Sequence, residues 1–228
     1  MASAANLDKT LANLFEAERR VRSLHDEIAD ADPAEVLGAI ERALPAALKE
    51  SDEGEASLRL ERLALLLGEM EGPRPVDLLI DIMGSDLSEA RGAAGEQLEG
   101  LAFERFKEVA KGIERALKRL PAGSPALPEL PYVLAEIPEP GVVKLLEQFL
   151  KHEDPDAVAA AIEVGVEIGD PIFVKHLEPL TEDTRTVEMA DDSGEPAEVT
   201  LGELAQDAID IFTDLDEEDD DAPESGKR

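Results

Sequence analysis

Apolar and polar positions along this chain alternate with a helical beat almost from end to end. Residues 7–29 carry Leu7, Leu11, Leu14, Phe15, Val21, Leu24 and Ile28, mostly three, four or seven apart, which predicts one amphipathic helix with a single apolar stripe. Asp32-Pro33 then supplies a capping carboxylate followed by a proline suited to a first helical turn. Further helices are predicted over 34–50, 55–70, 76–83, 87–101 and 103–120, separated by Gly, Pro, Ser and Asp clusters. A proline-dense stretch, PAGSPALPELP, interrupts the beat before a helix that runs to Ile137. Helices over 141–151, 156–168, 171–180 and 201–212 complete the pattern. Strand character is confined to 184–200, where Thr186–Met189 and Glu198–Thr200 flank Asp192-Ser193-Gly194 and predict a small β-hairpin or ordered loop.

The helices come in pairs joined by tight turns, and a proline step separates the pairs. Glu139-Pro140 and Asp170-Pro171 lie 31 apart, and Gly72-Pro73 lies 67 before the first of these, a distance that fits two units. Leu58-Arg59 and Ala90-Arg91 in the second helices are 32 apart. A helical hairpin repeated with a period in the low thirties is the signature of a solenoid, whose units bury their faces only against neighbours.

Two segments carry a family resemblance. PVDLLIDIMGSDLSEARGAAGEQLEGL and PGVVKLLEQFLKHEDPDAVAAAIEVGVEIGDP resemble HEAT repeats, in particular the short bacterial HEAT-like type also found in bilin lyases. Ser85-Asp86 and Asp154-Pro155 match the aspartate turn of that type, Ala90-Arg91 with Ala93-Ala94 its arginine-alanine step, and Gly169-Asp170-Pro171 its closing turn. Ala159 stands where the family has arginine, and Pro121–Pro131 departs from the middle unit. The resemblance implies an all-α fold, an α-solenoid of about five HEAT-like hairpins over 32–213, with an N-terminal capping helix at 1–31 and the small hairpin inserted near 184–200. An acidic tail at 214–228 is expected to be disordered, since eight acids and two bases leave it nothing to bury.

Charge changes the picture. With 54 Asp and Glu against 22 Lys and Arg, the chain carries −32, and removing the tail at −6 still leaves −26 on residues 1–213. Binding to a phosphate backbone over a large surface is disfavoured, because it depends on Lys and Arg. Cysteine is absent, so disulfides, thiolate-held zinc and cysteine nucleophiles are excluded. No GxSxG, P-loop or GxGxxG motif is present. The three histidines, His25, His152 and His176, are scattered, so no metal or other cofactor is expected. No signal peptide, membrane anchor or long apolar run is read, and a cytoplasmic protein is expected.

What remains is surface chemistry. In the resemblance, second helices line the concave face, which makes Glu61, Glu96, Glu99, Glu163 and Glu167 candidate contacts for a basic protein partner. Lys107, Lys111, Arg115 and Lys118 stack four, four and three apart on the one helix with a positive balance and are candidate contacts for an anion. On the opposite face Phe103, Phe106, Val109, Ile113, Leu117 and Leu120 are expected to enter the core. Gly92, Gly95 and Gly100 are expected to allow close helix approach. The expected function is a non-catalytic scaffold or adaptor. Alternatives are an accessory enzyme of the bilin-lyase type, which the resemblance alone raises, and a DNA mimic or nucleic-acid-associated protein. Oligomeric state stays open, although Leu7, Leu11, Leu14 and Phe15 could pair helices between chains.

Overall fold

Three helix starts are written locally, in aspartate caps. Asp32 Oδ1 accepts from the backbone N–H of Ala34 and Glu35 at 3.0 and 3.1 Å and opens α2 (Pro33–Ala47). Asp52 does the same for α3 (Glu53–Gly68) through the Glu55 N–H. Asp154 caps α8 (Pro155–Ile168) through the Ala157 N–H at 3.0 Å. Such caps satisfy donors that no helical carbonyl can reach, and each contributes about 1 kcal/mol. Gly72, at φ +106°, turns the chain into α4 (Pro73–Met83).

The computed structural model describes residues 4–190 and 196–220. The fold is all-α apart from one small sheet. α1 (Ala4–Ala29) precedes the α2–α3 hairpin, and α4 is followed by the long α5 (Ser88–Arg119). The proline-dense connector contains the short α6 (Ala126–Glu129) and a 3-10 turn at Tyr132–Leu134. α7 (Gly141–Leu150) pairs with α8, and α9 (Val174–Leu177) lies between 3-10 turns at Pro171–Phe173 and Glu178–Leu180. The last described elements are β1 (Thr186–Ala190), β2 (Pro196–Thr200) and α10 (Leu201–Asp220).

The two strands pair antiparallel with Thr186 opposite Thr200 and Val187 opposite Val199, at the place the sequence predicts. The expected turn residues Asp192-Ser193-Gly194 lie outside the described residues. Arg185 anchors the entrance to this sheet: its guanidinium grips Asp183 and donates to the carbonyls of His152 and Glu153 at 2.7 and 3.1 Å.

α3 packs on α5, α5 on α6, α6 on α8 and α8 on α10. One continuous core runs through these contacts, with Leu60, Leu79, Leu98, Ile113, Leu134, Phe149 and Phe173 all buried. Burying each such side chain contributes about 1.5–3 kcal/mol. The polar contacts are equally local. Among the described residues, every side-chain hydrogen bond spanning more than ten positions joins residues 31–44 apart.

Several expectations are corrected. The two helices expected at 87–101 and 103–120 are present as the two halves of α5, but the break between them falls at Arg105 (φ −137°, ψ 48°) rather than at Ala102-Phe103. Arg105 holds the kink by donating to the Met70 carbonyl at 3.0 Å. Phe103 lies before the kink, on the face of the first half of α5, and is 74 % exposed instead of buried. α1 covers little of the neighbouring hairpin: among its described side chains only Val21 and His25 are half-buried, and the rest of its stripe is exposed. α10 continues past 213 to Asp220, into the segment expected to be disordered, and residues 221–228 lie outside the described residues. No helix among the described residues is long and apolar enough to cross a membrane.

Candidate functional site

The first half of α5 places Glu96, Glu99 and Phe103 three and four residues apart, so all three project from one side of the helix. Across from them the chain leaves α6 through the Tyr132–Leu134 turn and presents Tyr132 and then Glu136. α8 contributes Glu163 and Glu167, one helical turn apart. Together these segments line a continuous cleft. One lobe, of about 520 Å³, holds Glu99, Phe103, Tyr132, Glu136 and Glu167, and the adjoining lobe, of about 340 Å³, holds Glu96, Glu129 and Arg91.

The electrostatics of the cleft are one-sided. Arg91 sits 3.6 Å from Glu129 and closes one end. No lysine or arginine among the described residues pairs with Glu96, Glu99, Glu136, Glu163 or Glu167. Tyr132 donates its hydroxyl to Glu163 Oε2 at 2.6 Å, and burial with this bond raises the phenol well above its ordinary range. Desolvation, with repulsion from Glu96 and Glu136, pushes the Glu99 carboxyl above the ordinary carboxylate range.

That shift has a defined sign. An acid whose folded pKa is raised holds its proton longer in the folded state. Stability is therefore fully present below the ordinary value of 4.5 and declines as pH rises through the raised folded value. Glu99→Gln removes this loss. Its Tm advantage over the parent chain, read by thermal melts from pH 4 to 7, is expected to be absent near pH 4 and to grow above about 4.5.

The glycines of α5 have a different part from the expected one. A Cβ at Gly92 or Gly100 would meet nothing within 4 Å, and one at Gly95 would meet Met83 only at ordinary contact distance. All three line the cleft, where the missing side chains widen its floor. Close helix approach falls instead to Gly112, where a Cβ would stand 2.3 Å from Val76, and to Gly165, which faces Phe173.

The fold distributes the remaining candidates elsewhere. Glu61 accepts from Ser57 Oγ at 3.0 Å on α3 and lies outside the cleft. Arg115 turns away from solvent partners: it makes a forked contact with Asp77 at 2.8–3.3 Å and reaches the Pro73 carbonyl, and the neighbouring Arg119 pairs with Asp81. Lys107, Lys111 and Lys118 remain exposed and make no ion pair among the described residues. The stripe is thus partly a strut between α4 and α5. His152 is half-buried: Nδ1 accepts the Asp154 N–H at 3.1 Å and Nε2 contacts the Leu117 carbonyl at 3.2 Å. Among the described residues no group of three or more His, Asp or Glu is arranged to hold a metal ion.

Sequence reasoning missed Phe103, Tyr132, Glu129 and Glu136 as cleft residues. The signal available was the rarity of aromatics, seven in the whole chain, of which two stand exposed side by side with carboxylates. No family model matches the chain, and no curated protein matches it. A crystal structure of an engineered protein aligns with 21 % identity over 83 % of this chain and 87 % of its own, at a TM-score of 0.34, a likeness too slight to carry an argument.

Proposed function

We propose that this chain is a non-catalytic adaptor that holds a basic segment of a protein partner in the cleft between α5, the Tyr132 turn and α8. The observation that carries this reading is the pairing of exposed Phe103 and Tyr132 with carboxylates that no cation of the described chain neutralises. A lysine or arginine entering there gains charge attraction and an aromatic face, and it offsets the repulsion from Glu96 and Glu136 that adds to the desolvation of Glu99.

The framework of the proposal is an α-solenoid of about five HEAT-like helix pairs. These are α2 with α3, α4 with the first half of α5, its second half with α6, α7 with α8, and α9 with α10. Supporting this are the succession of packed elements from α3 to α10 and side-chain hydrogen bonds that reach only 31–44 positions, about one repeat. A stack of this kind presents the second helices side by side, which is how residues far apart in sequence come to line one cleft.

The test uses a fluorescent peptide of alternating Arg and Gly, read by anisotropy in low salt. Phe103→Ala is expected to weaken binding about 10-fold. Glu99→Lys combined with Glu136→Lys is expected to abolish it, and Glu61→Lys, outside the cleft, to change it by less than about 2-fold. Equal losses at Glu61 and Glu99 would assign the binding to diffuse negative charge and sink the cleft reading.

A further inference from the structure

α1 leaves the rest of the molecule as a bare rod. Every described side chain from Asn6 to Arg20 is exposed, including Leu7, Leu11, Leu14 and Phe15 at 50–58 %. At 1.5 Å per residue that segment is about 22 Å long, and an isolated helix of such length is marginal in water. Its apolar stripe is the continuation of Val21, His25 and Ile28. Only this last stretch meets α2 and α3, with His25 held by Glu69 at 2.9 Å.

Where the rod joins the molecule there is a complementary groove. Leu24 and Ile28 of α1 face Val36, Ala39 and Ala43 of α2 across about 510 Å³ of mainly apolar space. Leu24 and Ile28 are themselves 47 % and 41 % exposed, and Ala39 and Ala43 are exposed. One molecule therefore carries both an uncovered apolar ridge and an uncovered apolar trough, displaced along one helix.

We propose that a second copy of this chain covers both: the N-terminal half of each α1 lies antiparallel in the groove at the root of the other. Leu14, Leu11 and Leu7 then pass Val21, Leu24 and Ile28 of the partner subunit. The arrangement is two-fold and closes on itself, so it yields a dimer and not a filament. Area decides for it over simple pairing of the two rods. One helix-on-helix contact of this length buries on the order of 900 Å², below the about 1,200 Å² of stable interfaces, and reciprocal docking makes the contact twice. Displacement decides the direction: ridge and groove lie at opposite ends of α1, so each ridge reaches the other groove only when the two helices run antiparallel.

Sedimentation and light scattering of the full chain test this. The parent is expected at twice 24.6 kDa in low micromolar solution and in 1 M salt, since apolar contacts survive screening. Leu11→Asp with Leu14→Asp, and separately Ala39→Arg with Ala43→Arg, are each expected to weaken the dimer at least 100-fold while leaving the helical circular dichroism in place. A parent chain that stays monomeric at 100 µM, or an order other than two, overturns the proposal. So does a dimer that the α1 pair dissolves and the α2 pair leaves intact, because the groove would then be empty. The absence of cysteine gives a second readout. Leu11→Cys with Leu24→Cys lie about 20 Å apart on one helix, beyond the about 7 Å reach of a disulfide, so oxidation must join chains. A covalent dimer is expected, and a monomer or a ladder of polymers contradicts the register.

Discussion

Asp154→Ala is expected to remove about 3 kcal/mol of folding free energy, seen as a lower urea midpoint with an unchanged slope. The carboxylate is 1 % exposed and serves two segments at once. Oδ1 caps α8 through the Ala157 N–H, and Oδ2 accepts the Gly123 N–H of the proline-dense connector at 2.5 Å. The turn that presents this N–H holds Gly123 at φ +82°, a conformation that glycine adopts without strain. Truncation leaves two backbone donors without an acceptor. A lost cap costs about 1 kcal/mol, and the part-buried hydrogen bond from Gly123 to the charge contributes about 1.5–2 kcal/mol. Asp154→Asn keeps an oxygen for one donor and turns an amide toward the other, so it is expected to fall between the parent and alanine. A loss below about 1 kcal/mol for alanine would mean that water replaces the carboxylate at no penalty, against its burial.

Gly165→Ala is the second large effect. A Cβ there would stand 1.9 Å from Cε1 of Phe173 and 2.4 Å from two more ring atoms. The ring is 1 % exposed and has no open side to move toward. Interiors packed to this density answer an added methyl with strain of about 1–3 kcal/mol, and the ring overlap places this case at the upper end. Phe173→Leu alone leaves a void and is expected to cost about 1–2 kcal/mol. Combined with Gly165→Ala it should restore stability toward the parent, with a coupling above about 1 kcal/mol in a double-mutant cycle of urea midpoints. Additive losses would show that the two sites do not share the space between α8 and the turn before α9.

Both sites show how far local pattern reaches. Asp154-Pro155 is readable as a helix start, because capping depends on a side chain and its next three residues. Its second bond, to a turn 31 positions earlier, is not readable in that way. Glycine in a helix signals something, but the pattern pointed to Gly92, Gly95 and Gly100, which open a cleft, and passed over Gly165. Which glycine faces a ring depends on the neighbouring element, not on the helix that contains it.

The cleft has the same character. Glu96, Glu99, Glu163 and Glu167 were legible as second-helix acids, yet Glu61 shares that description and lies elsewhere. Phe103 falls in an apolar pattern that continues to Leu120. The kink at Arg105, held by a carbonyl 35 residues away, breaks the common face and leaves the ring in solvent. Tyr132 enters because the proline-dense segment folds back against α8.

By itself, then, the sequence determined what short-range chemistry decides: helical periods, caps at Asp-Pro steps, the small hairpin, and an acid excess spread over the whole chain. Periodicity says which face of a helix is apolar. It does not say whether anything lies against that face. Tertiary structure alone decided that the stripe of α1 stays uncovered while that of α4 is buried, that Arg115 binds Asp77, and that carboxylates from α5, α8 and the Tyr132 turn meet around two aromatic rings. These outcomes rest on which elements become neighbours, and that choice is made by packing across tens of residues, where no local spacing records it.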